Sequence, residues 1–210
     1  MESLRAHRNL SRGEAQAIDA LTRGGMPAPA GMMRRYPHKA CGGQRQRVMI
    51  AMAILLKPRP LVADAPTTAL DRAIQAQTQG LLRDLAREST MALLLITHDL
   101  GVVAQMAKQV VPIAGRAVET GLVGQVLDHS CHPSTRGLMA AQPTPETRGQ
   151  GLTLIQSAPP RLGARPGGCA FHPRCALATA ECQTVLPPEV ALQDGQHAAG
   201  LHLEAALEPA

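Results

Sequence analysis

The chain has 210 residues, a formal net charge of +5 and a hydrophobic share of 45%, enough for one globular domain and a small appendix. One Tyr, one Phe and no Trp leave a core of aliphatic residues and Met, and they exclude a nucleic-acid binder that stacks bases on aromatic platforms. The Arg residues are scattered rather than clustered, the pattern of a solvated basic surface. Residues 1–8 are polar and charged, unlike a secretory signal. The longest apolar run, residues 48–56, covers about half a membrane span. These features predict a soluble cytoplasmic chain that touches a membrane only through partners. In that compartment five Cys read as thiols or metal ligands before disulfides.

Taken in order, Ser11-Arg12-Gly13-Glu14 fits a capping box, and an Ala/Leu-rich helix should follow until Gly24-Gly25 ends it. Pro27 and Pro29 mark a loop. A second helix should open at Gly42-Gly43 and run to about Leu56, stopped by Pro58 and Pro60. Leu61-Val62-Ala63 reads as a short buried strand. Helical spacing returns from about Ala73 to Glu88, with Ile74, Leu81, Leu82 and Leu85 on one face. Residues 91–96 form a continuous apolar run, the pattern of a parallel strand covered on both faces. A helix near residues 101–107 and a ribbon around Gly115 follow. After about Ser130, Pro, Gly, His and Cys become frequent and periodicity fades. We therefore place a boundary near residue 130 and expect a loop-held extension beyond it, with no strong helix before the tail. Alternating strands and helices argue for an α/β sheet.

Three of these elements end where chemistry is done in α/β proteins. Gly42-Gly43-Gln44 opens a helix, whose first N–H groups are unpaired and sit at the positive end of the dipole, so they can grip phosphate oxygens. A Gly-Gly turn before any helix would look the same. Asp64 stands at the C-terminal tip of a parallel strand, where such sheets bind ligands and where an Asp can help hold Mg²⁺; a solvated strand-end Asp is the plain alternative. Thr97-His98 ends the next apolar strand, where a His can donate to a phosphate or serve structure alone.

In sequence order these segments resemble the ATPase subunit of ABC transporters, and more narrowly its oligopeptide/dipeptide importer branch. The likeness rests on Arg35-Tyr36-Pro37-His38, on residues 43–53, on Pro66-Thr67-Thr68-Ala69-Leu70-Asp71 and on residues 96–104. It rests also on residues 132–138 and on the tail Gly168-Cys169-Ala170-Phe171-His172-Pro173-Arg174-Cys175. It implies the α/β P-loop NTPase fold with the signature helix and the second part of the sheet, in a domain over residues 1–130, and a Cys-containing C-terminal extension over 131–210. It implies ATP and Mg²⁺ as ligands. Cys41, Gly42, Gly43 and Gln44 would belong to the signature loop that meets the γ-phosphate held by the opposite subunit. Asp64 would be the Walker B acid near Mg²⁺, Ala69-Leu70-Asp71 the loop crossing the dimer interface, and His98 the switch histidine. The implied partners are a second ATPase subunit, transmembrane permease subunits and, indirectly, an extracytoplasmic peptide-binding protein, with the chain peripheral on the cytoplasmic face of the membrane and no nucleic acid involved.

The chain departs from that pattern in five places. Its three Lys, Lys39, Lys57 and Lys108, are followed by Ala40, Pro58 and Gln109, so no Walker A Gly-Lys-Ser/Thr is present. Ala65 stands where the family carries the Glu that orients or deprotonates water, a loss that typically costs ~10²–10⁴-fold in rate. Ala40-Cys41 replaces Leu-Ser, and a thiol is a weaker donor to phosphate than a hydroxyl. Pro112 falls inside the ribbon of residues 110–116. Cys169, Cys175 and Cys182 match three cysteines that in this branch can bind an iron–sulfur cluster, but Gly200 stands where a fourth is expected, and four thiolates are the usual set. Three Cys with His202 is one alternative; we favour three unligated thiols. Function is thus expected as the ATP-binding subunit of a peptide importer, without independent hydrolysis. The alternatives are a non-catalytic partner offering its signature loop in trans, a metal-binding module built on the Cys tail, and a non-functional remnant.

Overall fold

The computed structural model describes residues 13–66, 71–89, 91–144, 147, 149, 151, 153–161 and 163–203. The chain divides into two compact units, residues 1–102 and 103–210.

In the first unit, α1 (Glu14–Arg23) ends at Gly24, and Gly25 takes a left-handed φ of 70°. The helix starts on Gly13 as N-cap; Ser11 and Arg12 of the expected capping box lie outside the described residues. A short α2 (Pro29–Met32) follows where a Pro-rich loop was expected. Helix α3 (Gly42–Ile54) opens on the Gly-Gly pair as predicted. Ala20, Leu21, Met26 and Ala51 form the buried cluster between α1 and α3, with Met32, Met33, Val48 and Leu55 packed against it. Gly24 lets the helices approach: a Cβ there would stand 3.0 Å from the Arg47 carbonyl oxygen and 3.1 Å from Ala51 Cβ. The Arg47 guanidinium donates to the Gly25 carbonyl and, at 2.8 Å, to Gln77 Oε1. That ties the turn after α1 to α4 (Arg72–Glu88).

Strands β1 (Pro60–Asp64) and β2 (Ala92–Ile96) pair in parallel, Pro60 opposite Ala92 and Asp64 opposite Ile96. The expectation that residues 91–96 are covered on both faces is corrected here. Side chains alternate across a strand, and only the odd-numbered positions turn inward. Leu61 is 7% exposed, whereas its neighbour Val62 is 56% exposed and Val62's register partner Leu94 57%. Ile96 lies on the same open face. Among the described residues one face of this pair is covered, so a continuous apolar run does not mean two-sided burial.

Helix α5 (Leu100–Met106) spans the division between the units. The second unit holds a four-stranded antiparallel sheet in the order β3 (Gln109–Val110), β4 (Glu119–Leu122), β6 (His197–Ala199), β5 (Glu189–Ala191). Ile113 and Ala117 bridge around Gly115, whose φ is 76°. Pro112 needs no N–H there; its carbonyl accepts from Val118 N–H at 3.0 Å. Two helices, α6 (Val123–Asp128) and α7 (Pro133–Ala140), follow β4. One expectation is corrected: a regular helix does form beyond residue 130. Strand β4 pairs with tail strand β6, so residues 119–120 share a sheet with the tail.

Candidate functional site

Every nucleotide-related residue singled out in the sequence belongs to the first unit, and the first turn of α4 gathers several of them. Asp71 is the N-cap of α4; its Oδ1 accepts from Ile74 N–H at 2.8 Å. Ile74 in turn lies against the start of α3: a Cβ on Gly43 would stand 3.2 Å from Ile74 Cγ2. The next residue, Gln75, donates from Nε2 to Asp99 Oδ2 at 3.3 Å. Asp99 also accepts from Val102 N–H at 3.2 Å, capping α5, and its own N–H donates to Thr97 Oγ1 at 3.1 Å. One helical turn therefore touches both the start of α3 and the segment bearing His98. Asp99 entered the sequence reading only within residues 96–104, with no role of its own, and Gln75 not at all; the signal available was an Asp placed three residues before a helical N–H.

The two glycines at the start of α3 differ in kind. Gly43 packs closely on Ile74, which would have to shift to admit a side chain there. Gly42 is exposed, and a Cβ on it would have no neighbour within 4 Å. Nothing inside the described structure demands glycine at 42. Arg45 N–H is the first to bond within the turn, to the Cys41 carbonyl at 3.0 Å. Among the described residues no hydrogen bond takes up the N–H of Gly42 or Gly43. Gln44 turns back, its Oε1 accepting from Cys41 N–H at 3.2 Å. Cys41 itself is exposed at the N-cap. This end of a 13-residue helix suits an anionic group.

Asp64 is exposed at the tip of β1, opposite Ile96. His98 is exposed two residues beyond that partner. The two tips are thus adjacent at the C-terminal edge of a parallel pair, the edge where α/β sheets bind ligands. Ala65 follows Asp64 with φ 43°, its N–H bonded to the Ile96 carbonyl at 2.9 Å. It contributes no acid or base there. Ala69 and Leu70 lie outside the described residues.

The second unit contains a polar core that the sequence reading missed. Glu119 is 2% exposed, and its carboxylate accepts from Cys131 N–H (2.8 Å), His132 N–H (3.2 Å) and Gln196 Nε2 (2.7 Å). His132, 3% exposed, caps α7 through Nδ1, which accepts from Ser134 N–H at 3.1 Å. Its ring meets Phe171 edge-on at 5.9 Å. Burial pushes the His132 imidazole down to about 4, so it is neutral near pH 7. The only sequence signal was His132-Pro133, a Pro one residue past an unusual cap.

Cys169, Cys175 and Cys182 do converge. They line one cavity of about 40 Å³ with His132, Gly200 and His202. The donor set does not fit an iron–sulfur cluster. The cavity has room for a few waters at most. Gly200 offers no ligand, and a Cβ there would stand 2.4 Å from Leu203 Cδ2. His132 Nδ1 is occupied as a cap, and His202 Nε2 lies 2.9 Å from Thr179 Oγ1. Among the described residues no three His, Cys, Asp or Glu side chains are close enough to hold an ion.

Residues 118–182 match the family "Oligopeptide/dipeptide transporter, C-terminal region". The chain is 45% identical over 196 residues to a Brucella melitensis protein named a peptide import ATP-binding protein, covering 89% of this chain and 58% of that protein. It is 44% identical over 199 residues to the oligopeptide transport ATP-binding protein OppD of Haemophilus influenzae, covering 93% and 61%. The chain thus spans roughly three-fifths of the relatives it matches. Among solved structures, the dimeric MJ0796, a bacterial ABC transporter cassette, matches with a TM-score of 0.50 at 26% identity over 58% of this chain and 53% of that one. The cbiO1 protein of Clostridium perfringens, part of the ABC transporter complex cbiONQ, gives 0.51 at 26% over 60% and 51%. Among the described residues no helix is long and apolar enough to cross a membrane.

Proposed function

We propose that the chain is an ABC transporter ATPase of the oligopeptide/dipeptide branch and that it acts as the signature-bearing side of a nucleotide site shared with a second, P-loop-bearing ATPase subunit of a peptide importer. The observation that carries the reading is the first turn of α4, which holds the open Gly42 helix start and the Asp64/His98 strand edge in one framework. Bound MgATP would supply the phosphates and the cation. The chain's own residues do the rest. The N–H groups of Gly42 and Gly43 meet the phosphate charge of a nucleotide held opposite, Gln44 and Cys41 keep that helix start closed, and Asp71 fixes the adjoining turn. Asp64 is the residue to meet Mg²⁺ and His98 the one to donate to phosphate on the chain's own side. With Ala65 in place of an acid–base group, these 210 residues bind and position but do not turn over ATP by themselves. Permease partners and a place at the inner face of the membrane belong to the same reading and are supported by the peptide-import names of the relatives.

The test mixes the tagged chain with a full-length oligopeptide-branch ATPase subunit blocked in hydrolysis. The reading predicts a complex that forms with MgATP and not without it. Gly42→Asp should abolish the complex while leaving the fold intact, because position 42 is open and an acidic residue is welcome in the first helical turn. Association that ignores ATP, or that survives Gly42→Asp, overturns the reading.

A further inference from the structure

With a cluster excluded by the donor set, the three converging thiols need another account. Cys169 N–H donates to the Cys182 carbonyl at 2.9 Å. A backbone bond of this length holds two Cα atoms roughly 5–6 Å apart, inside the window that a disulfide spans. Both side chains face the same cavity. The backbones are pressed together here: a Cβ on Gly168, which has a φ of 57°, would stand 2.5 Å from the Cys182 carbonyl oxygen. Cys175 faces the same space but differs chemically. Burial pushes its thiol pKa up despite a Leu177 N–H bond to the sulfur, and the two neighbouring thiols push it further the same way. It stays protonated and is a poor nucleophile.

We propose that Cys169 and Cys182 are a redox-active dithiol that closes to an intramolecular disulfide by exchange with a small-molecule disulfide such as oxidised glutathione. Cys169, the more exposed of the two, attacks as thiolate and forms a mixed disulfide, releasing one thiol. Buried Cys182 then gives up its proton and displaces the second. Overall, protein dithiol plus disulfide gives protein disulfide plus two thiols, with two electrons passing to the small molecule. The bond pins the segment 169–182, which carries Phe171 and thereby the wall against His132. Thr179, whose Oγ1 lies 3.5 Å from Cys182 Sγ and 2.9 Å from His202 Nε2, is the residue through which the change reaches His202.

The experiment equilibrates the full chain in a series of reduced/oxidised glutathione ratios, traps free thiols by alkylation, and maps the link by peptide mass spectrometry. It is run on the parent and on Cys169→Ser, Cys175→Ser and Cys182→Ser. The expected result is a 169–182 link whose population follows the glutathione ratio, retained in Cys175→Ser and lost in the other two. Three outcomes overturn the proposal: a link that runs through Cys175, equal alkylation of all three thiols at every ratio, or stoichiometric iron or zinc on those thiols in anaerobically purified protein. The parent mapping stands alone if a Ser variant fails to fold.

Discussion

The buried His132 makes the second unit acid-sensitive in a calculable way. In the unfolded chain its imidazole takes up a proton as pH falls through 6.5; in the folded chain burial holds that event off to about 4. Above 6.5 both states are neutral there and stability is at its highest. Between 6.5 and 4 only the unfolded state is protonated, so stability falls as pH drops, and below 4 the loss levels off. At about 1.4 kcal/mol per pH unit the total is about 3 kcal/mol, large against a typical domain stability of roughly 5–15 kcal/mol. His132→Asn isolates the effect. Asn is a strong N-cap and can accept from Ser134 N–H in place of Nδ1, but it does not titrate. It gives up the edge contact with Phe171, so we expect a pH-independent cost of about 1 kcal/mol. The assay is hydrogen exchange of segment 131–140, corrected for intrinsic rate and converted to opening free energy at pH values from 7.5 to 4. The parent should lose about 3 kcal/mol more than the Asn variant over that range. Carboxylates common to both proteins cancel in the difference. Parallel curves would refute the reasoning.

Glu119→Ala leaves three buried donors without their acceptor; at about 1–3 kcal/mol per orphaned group it should cost on the order of 4 kcal/mol, read as a fall in the urea midpoint. A cost under about 1 kcal/mol would mean the network is water-satisfied. Asp71→Ala removes the cap on Ile74 N–H and should cost about 1 kcal/mol in thermal unfolding of the first unit. Gly200→Cys, which restores the expected fourth cysteine, must push Leu203 aside and should cost about 1–3 kcal/mol without gaining a cluster. Stoichiometric iron with a charge-transfer band after reconstitution would contradict that.

What the sequence displayed and what it hid divide along physical lines. The helix opening at Gly42 and the strands ending at Asp64 and Ile96 were legible because glycine, proline and apolar runs punctuate local structure strongly. Burial of β2 was not legible. Residues 92–96 are apolar at every position, so the pattern carries no period to show that Leu94 faces out. The cap on α7 was hidden because His is an uncommon N-cap, and the helix it starts is only eight residues long. The β4–β6 pairing joins Glu119 to Ala198, a separation that no local signal spans. The Cys trio was visible as three cysteines, but that they line one small cavity with Gly200 and Leu203 is a property of packing.

The most direct test of the nucleotide-site reading uses the exposed thiol at the head of α3. Cys41 is exposed at the N-cap of α3, beside the N–H groups assigned to the phosphate. Its alkylation rate, resolved from the other cysteines by peptide mass spectrometry, would be measured with an intact oligopeptide-branch ATPase subunit, with and without MgATP. The account predicts protection of Cys41 by about tenfold or more, corresponding to at least about 1.4 kcal/mol of ATP-dependent closure, only when both partner and nucleotide are present. An unchanged rate in the presence of both would contradict it.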